Sequence, residues 1–200
     1  MTTTKKKATT KSTTIVVKNK VEEIVDLPAN PFAFEVFQLV SKQRSNAKKV
    51  ELLRKYDHPS LKAIFIWNFD ESIISLLPAG EVPYASVGEQ NSFSGTMTEK
   101  IQDAVSKMGE VKSNSLGSQD QGFSSIRKEY SKFYNFIKGG NDGLSSLRRE
   151  TMFINILQGL HPLEAEILCL VKDKKLDTKY KITKEIVAEA YPDIQWGGRS

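Results

Sequence analysis

The stretch GLHPLEAEILCLVKDKKL, Gly159 to Leu176, decides the fold class. His161-Pro162 opens a helix there, because proline suits the first helical position, where its missing N–H had no partner in any case. Glu164 and Glu166 follow in the first turns, where a carboxylate meets the positive end of the helix dipole. Leu163, Ile167, Leu170 and Val171 recur at helical spacing and mark a buried stripe. Lys172, Lys174 and Lys175 close the segment with the sign that favours a C-terminus. Cys169 lies between Leu168 and Leu170 and reads as a small buried hydrophobe rather than a reactive thiolate.

The same grammar extends outward in both directions. Upstream, Leu144, Leu147, Phe153, Ile154, Ile156, Leu157 and Leu160 mark a helix, separated by Gly139-Gly140-Asn141-Asp142-Gly143 from another. That earlier helix is expected at about 123–138, with Ile126, Tyr130, Phe133, Phe136 and Ile137 on one face. A second His-Pro pair, His58-Pro59, starts a helix through Leu61, Ile64, Phe65 and Ile66, closed by Trp67-Asn68-Phe69-Asp70. Asp70 is expected to cap a short turn through Ile73 and Ile74. Ser45-Asn46 caps a helix ending near Tyr56, with Val50, Leu52 and Leu53 on its face. Asn30-Pro31 reads as the start of a helix over about 31–43. Downstream, Thr183 caps a last helix with Ile186, Val187 and Ala190, stopped by Tyr191-Pro192. The sum is an all-α chain of about seven or eight helices, with no fixed-period repeat.

Two regions read differently. Residues 1–27 are a Lys- and Thr-rich tail, too poor in apolar side chains to offset the entropy of ordering, and are expected to be disordered. Residues 85–122 are rich in Gly, Ser, Gln and Asn and read as a flexible insert. One weak amphipathic helix interrupts it near 97–108, through Met97, Ile101, Val105 and Met108. Residues 28–84 and 123–196 are expected to pack together as one helical domain from which the insert loops out.

Charge follows this division. The chain carries 29 Lys and Arg, 24 Asp and Glu and a net charge of +5. Six of the bases (Lys5, Lys6, Lys7, Lys11, Lys18 and Lys20) stand in residues 1–20, which contain no acid. The body is therefore close to neutral, and the basic character belongs to the tail. Those six lysines are the candidate phosphate contacts, a source of affinity without sequence preference. No apolar run approaches the ~20 residues needed to span a bilayer. The single cysteine excludes an internal disulfide, which fits a reducing compartment.

The residues that carry chemistry are few. Two histidines and one cysteine, far apart, give no transition-metal pattern, and no EF-hand loop is present. Each histidine precedes proline at a helix start, where an imidazole caps or packs. Neither a P-loop nor a nucleophile elbow appears, so no catalytic residue, cofactor or metal is expected. A helix-turn-helix reading of 162–191 fails because its second helix would turn Glu185 and Glu189 toward phosphate, beside Lys184 and Ala188. Arg127, Lys128, Tyr130, Lys132, Phe133 and Tyr134 interleave bases with aromatics as stacking platforms do, although helical spacing makes the aromatics core. Trp67, Phe69, Tyr84 and Trp196 lie near element ends, and large aromatics are enriched at interface anchors, so they are the candidate partner-binding residues.

The run Gly159 to Leu176, the run YDHPSLKAIFIWNFD (Tyr56 to Asp70) with LLPAGEVPY (Leu76 to Tyr84), and ITKEIVAEAYPDI (Ile182 to Ile194) together resemble a small family encoded by T4-like tailed phages, including those of marine bacteria. The resemblance covers roughly residues 32–84 and 123–194. It carries no catalytic residue across and implies phage origin, with the host cytoplasm or the virion as the location. The expectation is a non-enzymatic accessory protein acting through protein contacts in replication or transcription machinery or in the virion. The competing expectation is a nucleic-acid-associated protein that relies on its lysine tail.

Overall fold

The computed structural model describes residues 26–82, 95–110 and 124–198, with the backbone alone at 107–110. Among these residues nine α-helices and one 3-10 helix account for the regular structure, and no strand forms beyond two isolated bridges. The chain is all-α. No helix among the described residues is long and apolar enough to cross a membrane. Residues 1–25 of the tail and most of the 85–122 insert, including the lysine candidates, lie outside the described residues.

The central element is α7 (Pro162–Lys172). Of its expected stripe Ile167 and Val171 are fully buried, Leu163 and Leu170 are half-buried, and Leu168 is fully buried beside them. Around α7 pack α1 (Ala33–Ser41), α3 (Pro59–Phe69), α4 (Met97–Glu110), α6 (Ser146–Gly159) and α8 (Leu176–Tyr180). A second layer forms where α2 (Asn46–Lys55) packs on α9 (Lys184–Ala190) and on α1. Elements from both ends of the chain thus close one hydrophobic core, which helps because cores of half this size are marginal.

Both His-Pro starts stand where expected, with His58 and His161 as N-caps and proline inside the first turn. Ser45 and Thr183 stand at the N-cap positions of α2 and α9 as expected, but neither side chain makes a capping bond, and Tyr191 ends α9. The structure differs from these expectations in four places. First, α1 begins at Ala33 rather than Pro31. The Pro31 carbonyl accepts from Arg127 Nε at 2.8 Å, the Ala33 N–H donates to Glu164 at 3.0 Å, and Phe32 between them is extended. Glu35 then folds back to accept the Phe32 N–H at 2.8 Å.

Second, the helix expected at 123–138 is a short α5 (Ile126–Glu129) that tightens into a 3-10 helix over Tyr130–Phe136. Tyr130, Phe133 and Phe136 are spaced by three, which matches three residues per turn and lines them up along one edge. Phe133 and Phe136 close over Trp67, at 5.5 and 5.9 Å between ring centroids. The chain then straightens at Ile137, bridging antiparallel to Ser75. Third, the weak helix of the insert does not loop out. As α4 it packs on α7, with Met97 and Ile101 buried. A capping box starts it: the Thr96 N–H donates to Glu99 at 2.8 Å and the Glu99 N–H donates to the Thr96 hydroxyl at 3.2 Å. The Met97 N–H and the Val82 carbonyl join at 2.8 Å and fasten the helix start to the chain before the insert. Fourth, α8 has no counterpart among the expected helices. It ends at Lys181 in the left-handed region, φ +51°.

The start of the body also moves. Asp26 pairs with Lys55, and the Leu27 N–H donates to Tyr56 Oη at 3.0 Å, so these two residues belong to the fold rather than the tail.

Candidate functional site

Six basic side chains of the body are engaged by the fold itself. Lys49 Nζ donates to the Lys181 carbonyl at 2.7 Å. Arg54 donates to the carbonyls of Ala190 and Glu189 at the end of α9. Arg127 holds Pro31, and Lys174 Nζ holds the Asp70 carbonyl at the end of α3 at 2.8 Å. Arg149, only 5 % exposed, gathers the carbonyls of Asn135, Asn141 and Leu144 and so fixes the turn between the 3-10 helix and α6. Lys172 stands in the last turn of α7 as expected, but it is buried and donates to the carbonyls of Pro78 and Gly80 and to Asp173. A cation buried among carbonyl oxygens has its charge-assisted hydrogen bonds satisfied and is not presented to phosphate.

The carboxylates behave similarly. Glu164 is fully buried, and its two oxygens accept the Ala33 N–H at 3.0 Å and the Ile126 N–H at 2.9 Å. One side chain in the first turn of α7 therefore caps the starts of α1 and α5 as well. Burial pushes its carboxyl up to about 7, against the opposing pull of the two N–H donors and of Arg127. Asp70, 1 % exposed, accepts from the Ser72 N–H and hydroxyl, as expected of a turn cap. Its other oxygen accepts the Gly197 N–H at 3.0 Å.

Neither histidine faces a reaction site in this arrangement. Nδ1 of His58 accepts the Ser60 N–H at 3.1 Å and Nδ1 of His161 accepts the Leu163 N–H at 3.2 Å, which makes both imidazoles N-caps. Burial, then the charge of Arg127, lowers His58 from its ordinary range, consistent with a neutral acceptor. His161 also stacks on Phe34, centroids 4.6 Å apart. Burial pushes the Cys169 thiol up to about 12. Among the described residues no group of three His, Cys, Asp or Glu side chains is placed to hold a metal.

The expected aromatic anchors do not form a common surface. Trp67 is 3 % exposed and sandwiched by the 3-10 helix, so it is core and not an anchor; its position near a helix end gave no hint of the aromatic edge that covers it. Phe69 is half-buried and stacks on Phe65. Trp196 is half-buried under Lys184, 5.3 Å from Nζ to the ring centroid, and the Asp70–Gly197 bond ties its segment back to α3. Tyr84 lies outside the described residues.

A groove of about 530 Å³ lies on the surface between α6 and the α5/3-10 segment. Its apolar lining comes from Leu147, Met152 and Ile156, and its rim from Arg148, Lys132 and Glu129. Leu147 is 73 % exposed, the most exposed large hydrophobic side chain among the described residues. Glu129 is fixed by Ser124 and Lys132; burial acts to raise its carboxyl, but these two partners outweigh it and hold the group below its ordinary range. Arg148 is exposed and has no ion pair among the described residues. Sequence reading placed Leu147 with the apolar face of its helix and missed the groove altogether.

Comparison with the curated proteins and with the solved structures returns no match. Against the family models, residues 36–109 and 109–178 match "Family of unknown function (DUF6433)". That span takes in the Tyr56–Asp70 and Gly159–Leu176 runs, Glu164 and the groove, and covers more than half of the chain. The chain belongs to the DUF6433 family.

Proposed function

We propose that this chain is a non-enzymatic accessory protein that docks a protein partner in the groove beside α6. The phage setting, in the host cytoplasm or the virion, rests on the resemblance of the three quoted runs. The observation that carries the reading is Leu147, left 73 % exposed at the lip of an apolar groove. Burying a leucine side chain contributes roughly 1.5–3 kcal/mol, so a partner that covers this lip gains where the monomer does not. The histidines, Glu164 and the thiol that would otherwise suggest catalysis are committed to capping or packing. The nucleic-acid reading retains the six tail lysines, but it is weakened for the body, where six basic side chains hold backbone carbonyls.

Site-specific photocrosslinking tests the proposal. A photoreactive residue at Thr151 in the groove, in the full chain within producing cells, should give a discrete protein adduct that Leu147→Asp abolishes. The same probe at exposed Glu51 on α2 should give none. Equal labelling from both positions, or adducts only to nucleic acid, would overturn it.

A further inference from the structure

The groove has a chemical asymmetry that selects among occupants. Its lip is the first turn of α6: Ser145 as N-cap, then Ser146, Leu147 and Arg148. The Ser145 side chain makes no capping bond, and no acid stands in that turn. The start of α2 likewise has neither a side-chain cap nor an acid, and α9 has Glu185 without a cap, whereas α1 has Glu35, α4 has Thr96 and Glu99, and α7 has His161. The N–H groups and positive dipole end of a 14-residue helix therefore meet Arg148, a cation with no ion pair among the described residues. Across the groove Lys132 is joined to Glu129, which neutralises that side. The apolar strip of Leu147, Met152 and Ile156 thus runs beside an excess of positive charge at one end only.

Resting on the docking reading above, we infer that the occupant is a polypeptide segment with apolar anchors and an acidic end, its anchors on Leu147 and Met152 and its carboxylates at Arg148 and the α6 N-terminus. Charge complementarity sets the orientation, and the apolar strip supplies the contact area. Phosphate would match the cation but would leave the strip uncovered, so nucleic acid is the poorer fit.

A displayed library of random 16-residue peptides is selected on the full-length protein, each round depleted on full-length Leu147→Asp. That variant keeps the lysine tail, so peptides that bind only the tail are removed. Both Leu147 and Arg148 are exposed, and far-ultraviolet dichroism and melting of Leu147→Asp and Arg148→Glu should match the parent. The expected winners combine aliphatic or aromatic residues at helical spacing with excess Asp and Glu, and bind Arg148→Glu about tenfold more weakly, as loss and reversal of a rim charge requires. Winners without acidic excess and indifferent to Arg148→Glu overturn the inference and leave the docking reading intact. If no peptide distinguishes the parent from Leu147→Asp, both are overturned. Displacement of the winners by single-stranded DNA that itself needs Leu147 would assign the groove to nucleic acid instead.

Discussion

Replacing Glu164 by glutamine should change how stability depends on pH, in a direction that the geometry fixes. The carboxyl is fully buried and burial raises it from its ordinary 4.5 to about 7. The folded chain then holds this proton at pH values where the unfolded chain has lost it. Between pH 4.5 and about 7 the native state binds more protons than the unfolded state, so stability falls as pH rises. The contribution is fully present below pH 4.5 and lost by the time pH passes about 7. At about 1.4 kcal/mol per pH unit that interval corresponds to about 3 kcal/mol. The charged groups that face the carboxyl are Arg127 from α5, which opposes the shift, and Glu35 from α1, which adds to it.

Glutamine has no proton to lose, and its amide N–H₂ turns a donor toward one of the two backbone N–H groups. That mismatch should leave the variant about 1–3 kcal/mol less stable than the parent where the parent's carboxyl is protonated, and the variant's own stability carries no contribution from this titration. Urea unfolding of both proteins from pH 4.5 to 8.5 gives the difference directly, and titrations common to both, such as that of His58, cancel. The variant should be clearly less stable at pH 5, and the gap should close by about 3 kcal/mol on the way to pH 8. A flat gap would mean that the carboxyl titrates alike in both states. A gap that widens with pH would mean that the two N–H donors and Arg127 outweigh burial, and the reasoning would be refuted.

Other substitutions test separate parts of the structure. Tyr191→Phe removes a buried hydroxyl that donates to the Leu53 carbonyl at 2.7 Å and should cost about 1–1.5 kcal/mol by urea unfolding. Tyr180→Phe removes a buried hydroxyl without a partner among the described residues and should be neutral or stabilising in the same assay. A methyl group added at Gly140 would sit 1.9 Å from the Tyr134 carbonyl oxygen, a backbone atom that cannot swing away, so Gly140→Ala should destabilise by about 2–3 kcal/mol and lower the melting temperature. With its thiol pushed up to about 12, Cys169 should resist alkylation by iodoacetamide at pH 8 in the native protein and react promptly in denaturant; mass spectrometry of the adduct decides.

The helix starts were legible because their chemistry is local. His58-Pro59 and His161-Pro162 each carry the capping side chain at the helix they open, and Ser45 and Thr183 stand at the N-cap positions of theirs without a side-chain capping bond. The 3-10 helix was also written locally, in the spacing of Tyr130, Phe133 and Phe136, but an α-helical period fits Ile126, Tyr130, Phe133 and Ile137 equally well. The spacing of Met97, Ile101, Val105 and Met108 announced α4, while its polar surroundings hid that it docks on α7. Burial of Arg149 and Lys172 was not legible, because distant carbonyls decide it and a basic residue at a helix end reads as solvated. The groove was hidden for a related reason. Leu147 stands seven residues before buried Ile154, in phase with the core face, and nothing local marks it as exposed.

The Glu164 clamp has a consequence for synthesis. Its acceptor oxygens lie 131 residues after the Ala33 N–H and 38 after the Ile126 N–H. At roughly 5–20 residues per second, a ribosome completes the α1 segment on the order of 10 s before it makes the residue that fixes its start. During that interval Val36, Phe37 and Val40 have no α7 to cover them. The N-terminal half therefore finishes folding only when the C-terminal half arrives, and a nascent chain stalled before Glu164 exposes a greasy helix to whatever is nearby.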